Sequence, residues 1–291
     1  MRKRDLFSKR IIGYVNWRRG RSKAHRGDVV TALVADLDQQ APDHVIVSGD
    51  LVNISLPAEF VAAGEWLRAL GTPEHVTVVP GNHDAYVPLS WRKAWVHWSD
   101  YMAGDSGVAP SDAKDAFPFL RHRPPATIIG LSSAVASPPT FATGKLGKHQ
   151  LRRLAELLDA NSADKDCRVI VLHHPPVRGL TAYRRRLVDD RALGLVLARH
   201  GADLILCGHE HEMKLGSLPG PGYGRIPVVV APSASHGGPT RQGGYLIYSL
   251  EAIDGVWQIG FELRAFHAEE GVFRTVTSGY LRHAGAVGRN A

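Results

Sequence analysis

Short apolar runs alternate with longer amphipathic stretches from residue 27 to residue 207. Apolar side chains recur at helical spacing up to Gln40 and again over 57–70, 148–160 and 189–200. Between these predicted helices lie short runs rich in β-branched residues, which predict buried strands at 44–48, 76–79, 127–131, 168–172 and 203–207. Strands that alternate with helices are typical of an α/β fold with a sheet rich in parallel pairs.

After residue 212 the helical pattern stops. Apolar runs at 226–230, 245–250 and 256–263 are separated by Gly and Pro, which predicts strands joined by turns in an antiparallel arrangement. Parallel strands come first and antiparallel strands come last. The pattern therefore predicts a core formed between two sheets, with the helices on the outside.

The same pattern suggests how the chain is divided. We expect a basic leader at 1–26, one domain at 27–265 and a C-terminal tail at 266–291. The least regular stretch is 85–125, which we expect to be an insertion or a cap. Its three tryptophans recur at helical spacing and fit a substrate cap and ordinary core packing equally well: Trp91, Trp95 and Trp98.

The charge of the chain is concentrated at its start. The 291 residues include 35 Lys and Arg against 28 Asp and Glu, and ten of the basic residues lie within 1–26. The rest of the chain is close to neutral, which argues against the uniformly basic face of a nucleic-acid-binding protein. We expect the leader to form a helix that packs on the domain. Weak contact with an anionic membrane surface is the alternative.

Cysteine content and hydropathy bear on the compartment. Two cysteines are too few for a disulfide framework, which favours a reducing compartment. No stretch reaches the roughly 18 consecutive apolar residues that a membrane span requires. We therefore expect a cytoplasmic protein, while the oligomeric state stays open.

Four segments place metal-binding side chains directly after predicted strands. They are Gly-Asp-Leu-Val-Asn at 49–53, Gly-Asn-His-Asp at 81–84, His-His-Pro-Pro at 173–176 and Gly-His-Glu-His at 208–211. An α/β fold gathers its site at the carboxyl ends of its strands, so these segments should converge. A carboxylate can bridge two divalent ions, while imidazole and amide oxygen complete the coordination without adding charge. The combination predicts a dinuclear metal hydrolase.

The last segment has a pattern of its own. If 208–211 is extended, residues two apart point to the same side, so His209 and His211 would face the metals and Glu210 would face away. Each of the four segments is weak when taken alone, because a single His after a strand is more often structural than a metal ligand. Their order and their shared position after strands give the prediction its weight.

The ordered set of segments resembles the calcineurin-like metallophosphoesterases. The segment Gly-Lys-Leu-Gly-Lys-His-Gln-Leu at 144–151 resembles the branch that contains cyclic-nucleotide phosphodiesterases. The resemblance covers about residues 27–250 and implies a four-layer sandwich of two mixed β-sheets flanked by helices. It also implies hydrolysis of a small phosphodiester or phosphomonoester by two divalent ions, which could be Mn, Fe, Co or Zn.

The resemblance assigns roles to individual residues. Asp50 would bridge the two ions, His83 would act catalytically beside the phosphate, and His211 would bind the first ion. The remaining ligands, all to the second ion, would be Asn82, His173 and His209. Three further residues would support these ligands from behind: Asp84, Asn53 and His174.

The chain departs from the family pattern at the first metal. The family pattern begins with a strand ending in Asp-x-His, and no Asp-x-His precedes Asp50. We therefore expect the first strand of the fold to be missing from the chain as given. We expect such a block upstream of Met1, and about one tightly held ion in the chain as given, since Asp50 and His211 alone remain for the first ion. Two alternatives stay open: a weakly active or inactive metal-binding protein, and a hydrolase of a lipid-linked pyrophosphate.

Overall fold

The computed structural model describes residues 9–16, 27–105, 112–161, 165–222, 224–238 and 241–281. The helices are α1 (Arg10–Asn16), α2 (Gly27–Gln40), α3 (Pro57–Leu70), α4 (Ala113–Ala116), α5 (Lys148–Ala160) and α6 (Asp190–His200). Within these ranges, none of the helices has both the length and the apolar character needed to cross a membrane.

The strands carry most of the architecture. In chain order they are β1 (Val45–Val47), β2 (Val76–Val78), β3 (Phe119–Arg123), β4 (Ala126–Gly130), β5 (Cys167–Val171), β6 (Leu204–Cys207), β7 (Lys214–Pro219), β8 (Arg225–Val230), β9 (Gly237–Gly238), β10 (Arg241–Gln242), β11 (Gly244–Ile253), β12 (Val256–His267) and β13 (Val272–Leu281). Six of them form one continuous sheet in the order β3-β4-β5-β6-β8-β7.

The centre of this six-stranded sheet is parallel and buried on both faces. β4, β5, β6 and β8 run parallel, and alternate side chains of each strand point to opposite cores. Ile170 and Ile205 pack against α5 and α6, whereas Val169 and Leu204 face the second sheet. Burial on both faces explains why these strands read as continuous apolar runs in the sequence.

The second sheet is split into two pieces. β1 pairs in parallel with β2, while β11, β12 and β13 form a separate antiparallel piece. A cavity of about 1280 Å³ is lined by consecutive residues of β1 and by residues 244–251 of β11. Because consecutive residues of a strand point to opposite faces, this lining means that the backbone edges of β1 and β11 border the cavity. Among the described residues, neither edge pairs with a further strand.

The outer helices complete four layers. α5 and α6 cover the free face of the six-stranded sheet, while α3 packs on β1 and β2 through residues such as Phe60 and Leu67. α2 packs on β12 and β13 through a small apolar cluster of Val29, Leu33, Phe266 and Phe273. The predicted α/β sandwich of two sheets flanked by helices is confirmed.

A buried ion pair also joins α2 to the antiparallel piece. The guanidinium Nη2 of Arg264 lies 2.7 Å from Asp36 Oδ1, and the hydroxyl of Tyr245 donates to Asp36 Oδ2 at 2.5 Å. Burial raises the pKa of Asp36, but the hydrogen bonds from Arg264 and Tyr245 outweigh burial and hold that pKa below its usual value. The charged form of Asp36 is therefore part of the fold.

The described part of the leader packs on the domain. Arg10 donates from Nε to the carbonyl of Ile54 at 3.0 Å and from Nη2 to that of Ser55 at 2.5 Å. A Cβ added at Gly13 would lie 2.4 Å from Ile54 Cγ2, so α1 can approach this loop only with glycine there. The expected packed helix is present at α1, residues 1–8 and 17–26 lie outside the described residues, and membrane contact stays a prediction.

The structure shows regular elements within two of the expected segments, while the division into domains stays a prediction. The tail expected at 266–291 is a paired strand over β13, which the sequence conceals because most of its side chains are exposed and apolar alternation is weak. The insertion or cap expected at 85–125 ends before β3, which is the edge strand of the six-stranded sheet. All three tryptophans of that stretch are buried in the core between the sheets, as the packing alternative requires: Trp91, Trp95 and Trp98.

Candidate metal centre

The turns after β1 and β2 are in close contact. Gly49 and Asp50 have φ values of 102° and 61°, which turn the chain sharply at the end of β1. A Cβ added at Gly81 would lie 2.2 Å from Asp50 Oδ1, and one added at Gly49 would lie 2.5 Å from the Gly81 nitrogen. Glycine at 49 and 81 therefore lets the two turns meet, as the sequence motifs require.

Asp84 ties these two turns together. One carboxylate oxygen accepts from the backbone N–H groups of Gly81 at 2.7 Å and Asp50 at 2.8 Å, and the other accepts from Val52 at 3.1 Å. Burial, reinforced by the charge of Asp50, raises the pKa of Asp84 to about 7. All three of these hydrogen bonds come from backbone, which fits the expected supporting role.

Asp50 lies at the centre of the site. Its Oδ1 accepts from the backbone N–H of His83 at 2.8 Å, and its Oδ2 lies 3.3 Å from His173 Nε2. Burial raises the pKa of Asp50, but the positive charges of His173 and His83 outweigh burial and hold the pKa well below its usual value. The carboxylate is therefore charged near neutral pH.

Four lone-pair atoms meet at His173. Its Nδ1–H donates to the carbonyl of Ser48 at 2.7 Å, which leaves Nε2 as the nitrogen that faces the site. Nε2 lies 3.2 Å from Asn82 Oδ1, 3.2 Å from His209 Nδ1 and 3.3 Å from Asp50 Oδ2. Such a group is stable only around a cation, which can be a proton or a metal ion. Mixed carboxylate, amide and imidazole ligands suit Mn, Fe, Co or Zn.

The pKa values of the two imidazoles fit this reading. Burial lowers the pKa of His173, but the charge of Asp50 outweighs burial and raises it overall. Burial lowers the pKa of His209, and the neighbouring imidazoles lower it further, so its ring is neutral and can donate a lone pair. The buried Nε2 of His209 has no hydrogen-bond partner among the described residues. One polar atom of the site is therefore left without a protein partner. The residues present fit a divalent ion.

His174 stands beside this group but is already occupied. The nearest ring nitrogens of His173, His174 and His209 lie within 4.8 Å of one another. However, His174 Nδ1 lies 2.8 Å from Ser133 Oγ, and its Nε2 donates to the carbonyl of Ala142 at 3.2 Å. Burial lowers the pKa of His174 to about 3. The centroid of its ring lies 4.4 Å from that of His209, as a supporting role would require.

His83 lines the cavity with a fixed ring. Its Nδ1 donates to the carbonyl of Asn53 at 2.5 Å, and its ring stacks on Tyr86 with 5.5 Å between the centroids. Asn53, for which the resemblance implies a supporting role, contacts His83 through its backbone carbonyl rather than its side chain. Tyr86 is a partner that the motifs did not reveal.

The segment 208–211 is not extended. His209 and His211 have φ values of 77° and 61°, in the left-handed region, so side-chain alternation cannot place them. Both histidines still border the cavity, while the Glu210 carboxylate lies 2.7 Å from Lys214 Nζ and 3.3 Å from Arg185 Nη2. Two sharp turns rather than alternation therefore place these side chains, and the alternation argument was wrong. Sequence reasoning also missed Arg185, whose only signal was the run Arg184-Arg185-Arg186.

Comparison with known proteins agrees with this geometry. A family model described as calcineurin-like phosphoesterase matches residues 25–213. The chain is 28% identical over 217 residues to the glycerophosphodiester phosphodiesterase GpdQ of Enterobacter lignolyticus, covering 73% of this chain and 69% of the relative. It is 29% identical over 196 residues to a probable cyclic nucleotide phosphodiesterase of Synechococcus, covering 65% and 67%.

The fold also has a counterpart among solved structures. A dimetal phosphatase from Danio rerio superposes with a TM-score of 0.55 at 14% identity, covering 85% of this chain and 88% of that chain. At that identity the likeness concerns the fold alone. The family match, by contrast, spans well over half of the sequence and includes all four motifs. The chain belongs to the calcineurin-like phosphoesterases, hydrolases that act on phosphoric esters.

Proposed function

We propose that this chain hydrolyses a small phosphodiester with divalent metal ions held at the ends of β1, β2, β5 and β6. The observation that carries the proposal is the convergence of three further lone-pair atoms, from Asp50, Asn82 and His209, within 3.3 Å of His173 Nε2. The relatives named as phosphodiesterases favour a diester over a monoester. A cyclic nucleotide is the specific substrate suggested by the Synechococcus relative and by the segment 144–151.

Each ligand would have a defined task. Asn82, His173 and His209 would hold the second ion together with Asp50, which would also bridge to a first ion bound by His211. Two bound ions would lower the pKa of a water molecule and neutralise charge on the phosphoryl oxygens. Asp84 would keep the turns after β1 and β2 in register, so that Asp50 and Asn82 stay in reach of one ion.

His83 would serve the leaving group. Because Nδ1–H donates to the carbonyl of Asn53, Nε2 is the ring nitrogen that can hold a proton for substrate. Stacking on Tyr86 fixes the plane of the ring, so the proton would be directed at one position. His83 would donate it to the departing alkoxide, or stabilise charge in the transition state.

Metal-dependent hydrolysis of bis(p-nitrophenyl) phosphate tests the proposal. The chain is stripped with a chelator, reloaded with Mn²⁺ or Zn²⁺, and compared with His209→Ala. The matched control is His75→Ala, which removes an exposed imidazole ahead of β2. We expect hydrolysis that requires metal, is lost in His209→Ala and is unchanged in His75→Ala. A chain that binds metal but gives no hydrolysis would favour the inactive metal-binding alternative.

A substrate panel separates the ester classes. 3′,5′-Cyclic AMP and a glycerophosphodiester are diesters, whereas p-nitrophenyl phosphate is a monoester. We expect kcat/KM to be higher for at least one of the two diesters than for the monoester. Faster turnover of the monoester would contradict the diester proposal while leaving phosphoester hydrolysis intact. The cytoplasmic location stays a prediction.

A further inference from the structure

Arg185 stands on a fixed piece of backbone beside the metal centre. It ends the 3₁₀ turn Tyr183–Arg185 in the loop between β5 and α6. The carbonyl of Arg184 accepts from the Ala142 N–H at 2.9 Å, and the carbonyl of Arg186 accepts from the Gly144 N–H at 3.1 Å. The flanking residues are therefore tied to the strand-like segment 142–144, so Arg185 projects from an anchored platform.

From this platform, the guanidinium reaches the loop that carries two proposed ligands. Arg185 Nη2 donates to the backbone carbonyl of His209 at 2.8 Å and lies 3.3 Å from Glu210 Oε1. Glu210 is only 7% exposed, and its other oxygen lies 2.7 Å from Lys214 Nζ. Lys214 Nζ also donates to the carbonyl of Leu180 at 3.0 Å. The loop 208–211 is thus held from behind by two cations around one buried carboxylate.

The backbone of this loop needs such support. The φ values of His209 and His211, 77° and 61°, lie in a region that residues with a Cβ seldom adopt. A strained turn persists only when surrounding contacts fix it, and the carbonyl of His209 is the group that Arg185 binds. With the loop in this conformation, His209 Nδ1 lies 3.2 Å from His173 Nε2.

We propose that Arg185 is a positioning residue, which holds the loop 208–211 in the left-handed conformation that presents His209 to the second metal ion. This inference rests on the proposed metal centre, because a presented imidazole matters only if it binds an ion. The side chain of Arg185 does not touch the ion itself; it acts through the carbonyl of His209 and through Glu210.

The neighbouring arginines provide matched controls. Arg184 lies over the ring of Phe141, with 5.5 Å from its guanidinium carbon to the centroid, and Arg186 lies 4.0 Å over the ring of Tyr183. Among the described residues, neither guanidinium has a hydrogen bond or ion pair with the loop 208–211. Arg184→Met therefore removes the same charge and side-chain volume from the same turn without removing the proposed support.

The test compares wild type, Arg185→Met and Arg184→Met in two measurements. The first is amide exchange of residues 208–212 in the metal-free chain, where the Glu210 N–H donates to the Gly208 carbonyl at 3.0 Å. The second is titration with Co²⁺, followed by its visible absorption. We expect Arg185→Met to exchange faster in 208–212 and to bind Co²⁺ about tenfold more weakly, the lower end of what supporting residues contribute. Arg184→Met should match wild type in both.

The outcomes separate the two proposals. Unchanged exchange in metal-free Arg185→Met overturns the positioning role, whatever the metal does. Faster exchange with Co²⁺ affinity within twofold of Arg184→Met also overturns it, because the loop would then be irrelevant to the ion. If wild type binds no Co²⁺ although Arg185→Met exchanges faster, the proposed metal centre fails, and the role for metal presentation falls with it.

Discussion

The two sheets of this molecule differ in how their strands are paired among the described residues. The six-stranded sheet is continuous, and its central strands β5 and β6 are buried on both faces. The second sheet consists of two pieces whose edge strands, β1 and β11, border a cavity of about 1280 Å³. Unpaired strand edges and missing packing atoms both reduce stability. The second sheet should therefore be the part of the fold that opens first.

The candidate metal centre lies across the junction of these two halves. Asp50 and Asn82 follow β1 and β2 of the split sheet, whereas His173 and His209 follow β5 and β6 of the continuous sheet. The two imidazoles thus follow buried strands of the continuous sheet. The carboxylate and the amide lie on tight turns of the split sheet. An ion bound by all four would link a stable half to a less stable one.

The largest expected difference is in hydrogen exchange. Amides of β5 and β6 should exchange only through global unfolding, whereas those of β1 should exchange through local opening into the cavity. We expect protection to differ by about 10³-fold, which corresponds to roughly 4 kcal/mol. Exchange of the metal-free chain followed by mass spectrometry measures this. Equal protection in β1 and β5 would mean that the two halves unfold together.

The next largest effect is expected from substitution of the two aspartates at the junction, Asp50 and Asp84. Asp50→Asn weakens the proposed bridge to both ions, for which we expect a loss in kcat/KM on the order of 10³-fold. Asp84→Asn alters only the hydrogen bonds that join the turns, where losses of about 10–100-fold are typical. Hydrolysis of bis(p-nitrophenyl) phosphate and Co²⁺ affinity are the measurements. Equal losses would contradict the assignment of Asp50 as the bridge.

The buried ion pair of the split half should matter more than a surface pair of the other half. Asp36→Asn leaves Arg264 without its charged partner, and we expect a loss of about 3 kcal/mol in the free energy of unfolding. The control is Asp190→Asn at the start of α6, whose partner Arg178 is exposed, so the loss should stay below about 1 kcal/mol. Urea denaturation measures both, and similar losses would contradict the comparison.

The Asp36–Arg264 pair also predicts how the stability of the fold changes with pH. The pKa of Asp36 is lower in the folded chain than its usual value of 3.8. Its contribution is therefore fully present above about pH 4 and is lost as the pH falls through the folded pKa. Wild type should lose stability over this range more steeply than Asp36→Asn. Parallel pH profiles of the two proteins would show that the carboxylate of Asp36 does not contribute in this way.

The sequence predicts an element well when neighbouring residues determine it, and poorly when contacts with distant residues do. Helix α3 and strand β2 follow from apolar spacing with Gly71 as a stop, and the predictions differ from the structure by at most one residue. β13 could not be found in this way, because its pairing with β12 defines it while its exposed side chains carry little pattern. The same holds for the Asp36–Arg264 pair, whose members are 228 positions apart.

The same distinction between local and distant causes applies to the candidate site. The four motifs identified the residues that converge near His173, because strand ends in an α/β fold meet at one edge. The motifs did not predict the left-handed turns at His209 and His211, since backbone conformation there depends on contacts such as that of Arg185. They also did not predict which strands border the cavity, because strand pairing leaves no mark on any single strand.

Metal addition should distinguish the two pieces of the split sheet from each other. Local opening of β1 and β2 would break the contacts of Asp50 and Asn82 with a bound ion, whereas β12 and β13 contribute no ligand among the described residues. At an ion concentration of about 100 times Kd, binding should stabilise the ligand-bearing state by about 2.7 kcal/mol, or roughly 100-fold in exchange protection. That gain should appear in β1 and β2 and be absent from local opening of β12 and β13.

The measurement is amide exchange of the chain with and without Zn²⁺, with elemental analysis after dialysis to count the bound ions. Asp50, Asn82, His173 and His209 would supply four ligands for one ion, so we expect close to one tightly bound ion per chain. Asn82→Ala should abolish the gain in β1 and β2, while His75→Ala should preserve it. An equal gain in β13 would mean that both pieces open as one unit. No gain in β1 would mean that the ion is held without Asp50 and Asn82, so the centre would not connect the two halves.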